Sequence, residues 1–418
     1  MPGSGAATNR RRLSQAELDL ICQRHDRLWR AQPGGARAVF SYADLSGLDL
    51  RTRNLTDADF TGAVLTDADM RGAKLDNASL FGADLQNAWL NDASLRRADL
   101  RGACLRGADL TGADLYEADL REGQIAIPDA ELGLRKLEPS QRNSDASGVV
   151  LAGANLTRSR LSGVVAVRAD FTDAVMKDAK LVRSNLKHAS FVGADLSGAD
   201  LSGADVSGAD LRDAILAGAK TVGWTADGAD LRGALQDPIA ETDGASSLPY
   251  AQMLDAHAQW CESGGRSGAP SVFDGADLRG LKSIRGLNLT ALSAAGAIFY
   301  GLDMEGVQLQ GARLEGADLR SCNLAGADLR GARLMGAKLS NADLRKAQLS
   351  ALLIGTERLM PTNLSRAKLT GADLSGADLR QANLTEANLE RANLTGAVVR
   401  QAELVRTKLT GVRGLSLL

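Results

Sequence analysis

Apolar residues recur at every fifth position through most of the chain, as in Ala108-Asp109-Leu110-Thr111-Gly112-Ala113-Asp114-Leu115. That period suits neither regular element. At about 100° per residue, five steps turn an α-helix through about 500°, so successive Leu would wander round the cylinder. In a straight strand, residues five apart face opposite ways, and half the Leu would face water. The conflict disappears if the chain turns a corner once per repeat, so that every fifth side chain points to one axis. The Leu (position i) and the Ala two before it (i−2) then point inward, and Asp or Asn at i−1 points outward. Gly is frequent at i+2, where a corner needs a permissive backbone. Burying one Leu yields about 1.5–3 kcal/mol, whereas ordering five backbones costs about 1–2 kcal/mol each. A single repeat cannot fold alone, so coils must stack and share core and hydrogen bonds.

The phase is constant from Phe40 to Ile125, giving 18 inward positions, all apolar. From Ala43 to Ala118 the i−2 slot is Ala except at Leu48 and Arg53. Repeats resume from Leu151 to Leu231 with 17 inward positions, and again from Phe273, slipping by one residue near Ile284 and holding phase to Leu409. In three repeats the large and small slots are exchanged: Ala166, Ala226 and Ala294 hold the large slot, and Val164, Trp224 and Leu292 the small one. All three exchanged i−2 side chains are expected to be buried, since the swap partly conserves core volume.

On these residues the chain resembles the pentapeptide-repeat family. The resemblance implies an all-β solenoid, a right-handed quadrilateral β-helix with one repeat per side and four sides per coil.

Residues 14–32 read as an amphipathic helix. Ser14 and Glu17 form a capping box, Leu13 is placed to staple to Leu18, and Gly34-Gly35 would end the helix. It is suited to cover the open end of a β-helix, with His25 packed on its inner face. The segment from Pro249 to Cys261 repeats the theme, and Trp260 before Gly264-Gly265 echoes Trp29 before Gly34-Gly35. The reading is therefore a disordered tail (1–13), a capping helix (14–39), a β-helix (40–125), an interrupting loop with one helical turn (126–148) and the β-helix continued (149–232). A linker with a second capping helix (233–272) and a second β-helix (273–418) follow. The alternative is one continuous solenoid with a side helix.

Charge differs by segment. Residues 1–39 carry 7 basic and 3 acidic side chains, net +4, and residues 40–125 carry 9 and 15, net −6. Residues 149–232 carry 10 and 10, and residues 273–413 carry 19 and 14, net +5. Positions twenty apart fall on one face of a four-sided coil, which lines up Arg320, Lys338, Arg358, Arg380 and Arg400 beside Asp318 and Asp378. Such a ridge is a candidate interaction surface for an acidic protein or polyanion, weighed against a solvated face with local ion pairs. Phe81, Trp89 and Tyr116 point outward but onto different faces.

No catalytic constellation appears. The three His (His25, His188, His257) lack partners at ligand spacing, and no nucleophile elbow, phosphate loop or dinucleotide fingerprint is present. No catalytic residues, metal site or cofactor are expected. The four Cys are far apart, and Cys322 replaces Ala in an i−2 slot as a small core residue. Reduced cysteines, a start without an apolar signal and no membrane-length apolar run lead to the expectation of a cytoplasmic protein with no direct membrane contact. The function expected is a non-enzymatic scaffold whose flat β-helix faces mediate protein–protein interaction, with an unidentified protein partner and no nucleic acid. Some members of the resembled family mimic duplex DNA and regulate or protect the type II topoisomerase gyrase. This alternative draws on the acidic block 40–125, which also carries Arg96, Arg97, Arg101 and Arg106. The family also offers precedent for a homodimer formed through the C-terminal end.

Overall fold

The computed structural model describes residues 10–123, 126–129, 133–136, 144–237, 250–281, 283–355 and 357–415. The chain divides into two compact units, Met1–Ile239 and Ala240–Leu418. Both are ladders of parallel bridges. In the first unit Asp49 pairs with Asp69, Asn54 with Lys74 and Asp59 with Ser79, so a coil takes twenty residues and carries four bridges. Each inward residue donates its N–H to the next coil (Leu50 to the Asp69 carbonyl, 2.7 Å), and the i−1 residue donates to the previous one (Asp69 to Leu48, 3.0 Å). A third bond closes the corner within the repeat, from Leu48 N–H to the Leu45 carbonyl at 3.1 Å. The second corner residue takes positive φ, +69° at Gly112 and +55° at Arg97. This is why Gly dominates that slot and why the exceptions are strained.

In the first unit, helix α1 (Gln15–Trp29) begins at the expected capping box, with the Ser14 N–H donating to Glu17 Oε2 at 2.8 Å. It ends sooner than expected, because Ala31 and not Gly34 takes the first left-handed conformation, at φ 51°. Leu18, Cys22 and His25 are buried in the same core as the first coils. Arg53, the charged residue in a small slot, escapes to Asp19 of α1 at 2.6 Å. Order starts before Ser14: Arg12 is bridged to Asp44 and Leu13 is buried, so a tail running to residue 13 extends too far.

The interruption after the first block does not break the stack. Leu105 donates to the Asp145 carbonyl (2.8 Å), and Asp109 pairs with Val150, so coils on either side are direct neighbours. The inserted chain holds an antiparallel pair, β1 (Ala126–Asp129) with β2 (Gly133–Lys136), where a helical turn was expected. Repeats resume at Ser144 and Ala146, both buried, earlier than the Leu-based phase indicated. Ile125, the last inward position of the first block, lies outside the described residues. Among the described residues the ladder ends with Ile215 paired to Leu235.

In the second unit, α2 (Tyr250–Glu262) buries Leu254, His257 and Ala258, and Tyr250 meets Phe273 edge-on at 5.9 Å. The first coil is one residue longer: Val272 pairs with Ser293, while Ser283 pairs with Asp303. The phase slip near Ile284 is thus one extra residue between the regular corner closed by Leu281 and the bridge at Ser283. A second insertion escaped the sequence reading. Arg333 pairs with Asn363 across thirty residues, because residues 351–360 leave the wall as a hairpin, β3 (Leu352–Ile354) with β4 (Arg358–Met360). Buried Thr362 seals its base, donating to Ser350 O (3.0 Å) and accepting from Gly331 N–H (2.9 Å). Ile354 and Leu359, in phase with the inward positions, are exposed.

The exchanged slots behave as volume conservation requires at two sites. Val164 with Ala166, and Leu292 with Ala294, are buried. Trp224 is only half-buried, because it stands in the last coil of its ladder among the described residues. In each buried case a Phe follows five residues after the inward Ala (Phe171, Phe299), and Phe171 stacks on Phe191 at 4.9 Å.

Candidate interaction surface

The outward residues are first of all partners of their own repeat. The Asp at i−1 accepts the backbone N–H at i+1: Arg51 N–H meets Asp49 Oδ1 at 3.0 Å and Thr111 N–H meets Asp109 Oδ1 at 3.0 Å. This Asx-type bond explains the Asp and Asn of that slot. Where i+1 is Arg, its guanidinium folds back on the same carboxylate through two bonds, as with Arg51 Nε and Nη2 on Asp49 at 3.0 and 2.6 Å. The Asp-Leu-Arg triplet repeats this at Asp210/Arg212, Asp343/Arg345 and Asp378/Arg380. Hydrogen bonding from Arg51 holds the Asp49 carboxyl down to about 2, and Arg232 does the same for Asp230. These Arg therefore neutralise their own repeats and contribute little net field.

The five cations expected to form one ridge are divided by the structure. Lys338 pairs with Lys368, so column 319–339 continues into residues 369 and 389. Gln348 pairs with Asp378, so Arg380 and Arg400 flank a different column, two repeats or half a coil away. The ten-residue hairpin accounts for the split: it preserves the five-residue phase but moves every later residue two sides round. Arg358 is on the hairpin itself, exposed on β4. Arg320 is buried, with its Nε on Asp318 Oδ1 at 2.8 Å, and Arg380 is paired likewise with Asp378. Arg320, Lys338 and Lys368 share one column; the five do not form a continuous row.

The outward aromatics are separate, as expected. Phe81 lies under Arg101 and Tyr116 under Arg96, with guanidinium-to-ring distances of 5.3 and 4.7 Å, while Trp89 stands exposed. A polar depression between α1 and the first coil is lined by Asp26, Arg30, Asp49, Arg51 and Arg53, among others, and its Arg51 and Arg53 are ion-paired. His25 and His257 are buried against backbone, and His188 is exposed at a corner. Cys322 is buried, and burial pushes its thiol up to about 12. All four cysteines are free thiols. Among the described residues, no group of His, Cys, Asp and Glu is placed to hold a metal, and no helix is long and apolar enough to cross a membrane.

The sequence profile of "Pentapeptide repeats" matches the chain eight times, over residues 43–80, 78–116, 142–178, 150–187, 179–218, 284–320, 312–350 and 362–401. No curated protein matches the chain. Among solved structures, HetL, a pentapeptide repeat protein involved in heterocyst differentiation regulation in Nostoc sp. strain PCC 7120, is similar at 24% identity. That match covers 87% of this chain and 89% of HetL, with a TM-score of 0.14. QnrB1, a plasmid-mediated fluoroquinolone resistance protein, is 16% identical over 64% of this chain and 92% of its own, with a TM-score of 0.21. A pentapeptide repeat protein of the Arabidopsis thaliana thylakoid lumen is 28% identical over 29% of this chain and 67% of its own, with a TM-score of 0.17. With the repeat profile matched over more than half its length and the twenty-residue coil in both units, the chain belongs to the pentapeptide-repeat family.

Proposed function

We propose that the chain is a non-enzymatic scaffold, built as right-handed four-sided β-helices closed by α1 and α2, that presents flat outward faces to a protein partner. The observation that carries this reading is the self-pairing of the outward charges. Asp-Leu-Arg triplets fix side chains flat against the wall through two bonds each. Pre-ordered, mutually neutralised surfaces suit docking of a complementary face, since little side-chain freedom is left to lose. Within the second unit, the column carrying Lys338 and Lys368 beside buried Arg320 is the docking strip, and an acidic protein surface is its complement. Arg380 and Arg400 mark a separate contact. The test is capture of the partner by purified protein, followed by Lys338→Glu/Lys368→Glu and, separately, Arg380→Glu/Arg400→Glu. Loss of capture with the first pair only supports the strip, and unchanged capture with both pairs discards it.

A gyrase regulator that mimics DNA is the second reading, favoured by the acidic residues 40–125. Inhibition or protection of gyrase supercoiling by the purified chain separates the two. A homodimer through the C-terminal end is proposed on half-buried Leu404, Leu409 and Val412 in the last coil; a monomer mass independent of concentration rules it out.

A further inference from the structure

His25 is fully buried between three pieces of the first unit. Its Nδ1 accepts the N–H of Ala38 at 3.1 Å, which places the proton on Nε2, and Nε2 faces the Thr56 carbonyl at 3.0 Å and the Trp29 indole N–H at 3.2 Å. One ring thus ties α1 to the segment that enters the wall and to a corner of the first coil. The arrangement recurs in the second unit, where His257 Nδ1 accepts Ser271 N–H at 3.0 Å and its Nε2 faces the Thr290 carbonyl at 3.2 Å. Two separate helices seated by the same pair of bonds mark a built feature of the fold.

We propose that His25 is an acid-released latch: protonating its ring frees α1 from the first coil and uncovers the inward row beginning at Phe40, Leu45 and Leu50. An imidazolium has N–H on both nitrogens, so Nδ1–H would face the Ala38 N–H, donor against donor, at a site without solvent. The charged groups around the ring are Asp26 on α1, Asp57 on the first coil and Arg37 on the entering segment. Burial drives the ring below its ordinary value and Arg37 reinforces this; the bond to the Thr56 carbonyl and, after it, the two carboxylates oppose it. The folded-state value is therefore depressed. The latch is at full strength above the ordinary His range, near pH 6.5, and weakens as pH falls toward the folded value. Between those two points the opening constant rises by up to about tenfold per pH unit.

Hydrogen exchange on the full chain between pH 7.5 and 5 tests this, with each rate converted to a protection factor to remove the intrinsic pH dependence of exchange. Protection over α1 is expected to fall by up to about tenfold per pH unit below pH 6.5, while the coils from Phe60 to Leu216 keep theirs. The variant His25→Gln, which has no proton to gain, is expected to show α1 protection independent of pH. Since that variant risks misfolding, ring resonances of His25 in the unmodified protein give a second readout: they should titrate in step with loss of α1 protection. Protection over α1 constant within twofold, a pH dependence that persists in His25→Gln, or a ring that titrates while α1 stays protected would each overturn the proposal.

Discussion

Exchanging the large and small slots at Leu292 and Ala294 is a test of how strictly the wall conserves volume. Both side chains are 0% exposed, and their coil lies between Phe273 on one side and Leu314 on the other. The space is thus fixed from both directions. Leu292→Ala alone should leave a cavity and cost about 2–5 kcal/mol. Ala294→Leu alone should overpack the same layer and cost about 1–3 kcal/mol. If the two slots draw on one volume, the double variant restores the ordinary repeat and should cost less than about 2 kcal/mol, with a coupling near the upper end of the 0.5–3 kcal/mol seen for neighbours. A stacked array need not unfold in one step, so the measurement should be local. Native-state hydrogen exchange at Ala294, bonded to the Arg313 carbonyl at 2.8 Å, and at Arg313, bonded to Leu292 at 2.8 Å, reports on that layer. Double-variant costs equal to the sum of the singles within about 0.5 kcal/mol would refute shared volume. The same cycle at Trp224 and Ala226 should show weaker coupling, because both are only half-buried.

Removing residues 351–360 should leave the second β-helix folded, with thermal stability changed by no more than about 1 kcal/mol, since loop length contributes weakly; loss of the cooperative melt by circular dichroism would contradict this. Gly331→Ala should dislodge the hairpin. The new Cβ would meet Met360 Cε at 2.7 Å and Leu352 Cβ at 2.8 Å, at a φ of +67°, for about 1–3 kcal/mol of strain, read as faster proteolysis within 351–360. Ser14→Ala should destabilise the start of α1 by about 0.5–2 kcal/mol, seen as faster exchange there. Glu17, held down to about 2 by Ser14 N–H and Arg11, should support the start of α1 above the ordinary carboxylate range and lose that support as pH falls toward 2. The fraying of this first turn should thus be resolved from the latch at higher pH.

The architecture was legible because one Leu and one Ala per five residues leave a corner as the only consistent geometry. The capping box and the burial of Cys322 were legible for similarly local reasons. What was missed had no local mark. The hairpin at 351–360 is two repeats long and places Ile354 and Leu359 in phase, so the periodicity ran through it undisturbed. The signals that did exist were Glu357, an acidic residue in a slot that most repeats fill with Ala, and Pro361 in the corner slot that takes positive φ elsewhere. The candidate ridge failed with it, since counting by twenties assumes that every residue belongs to the wall. At the first interruption, Ser144 and Ala146 fill inward slots without a Leu, which hid the true point of return.

The ten-residue hairpin also implies a structure that the chain rejects. Threaded into the wall, residues 351–360 would supply two further sides, with Ile354 and Leu359 pointing inward. Everything downstream would then emerge half a turn round, bringing Arg380 and Arg400 into line with Arg320 and Lys338. The obstacles are Pro361, whose ring fixes φ at about −65° in the corner slot that elsewhere takes positive φ, and Glu357, whose carboxylate would have to replace an Ala methyl in an apolar interior without a partner. Pro361 and Glu357 together thus choose between two threadings of the same sequence, and the pattern of charge that this unit shows to a partner is set by residues that its wall cannot take in.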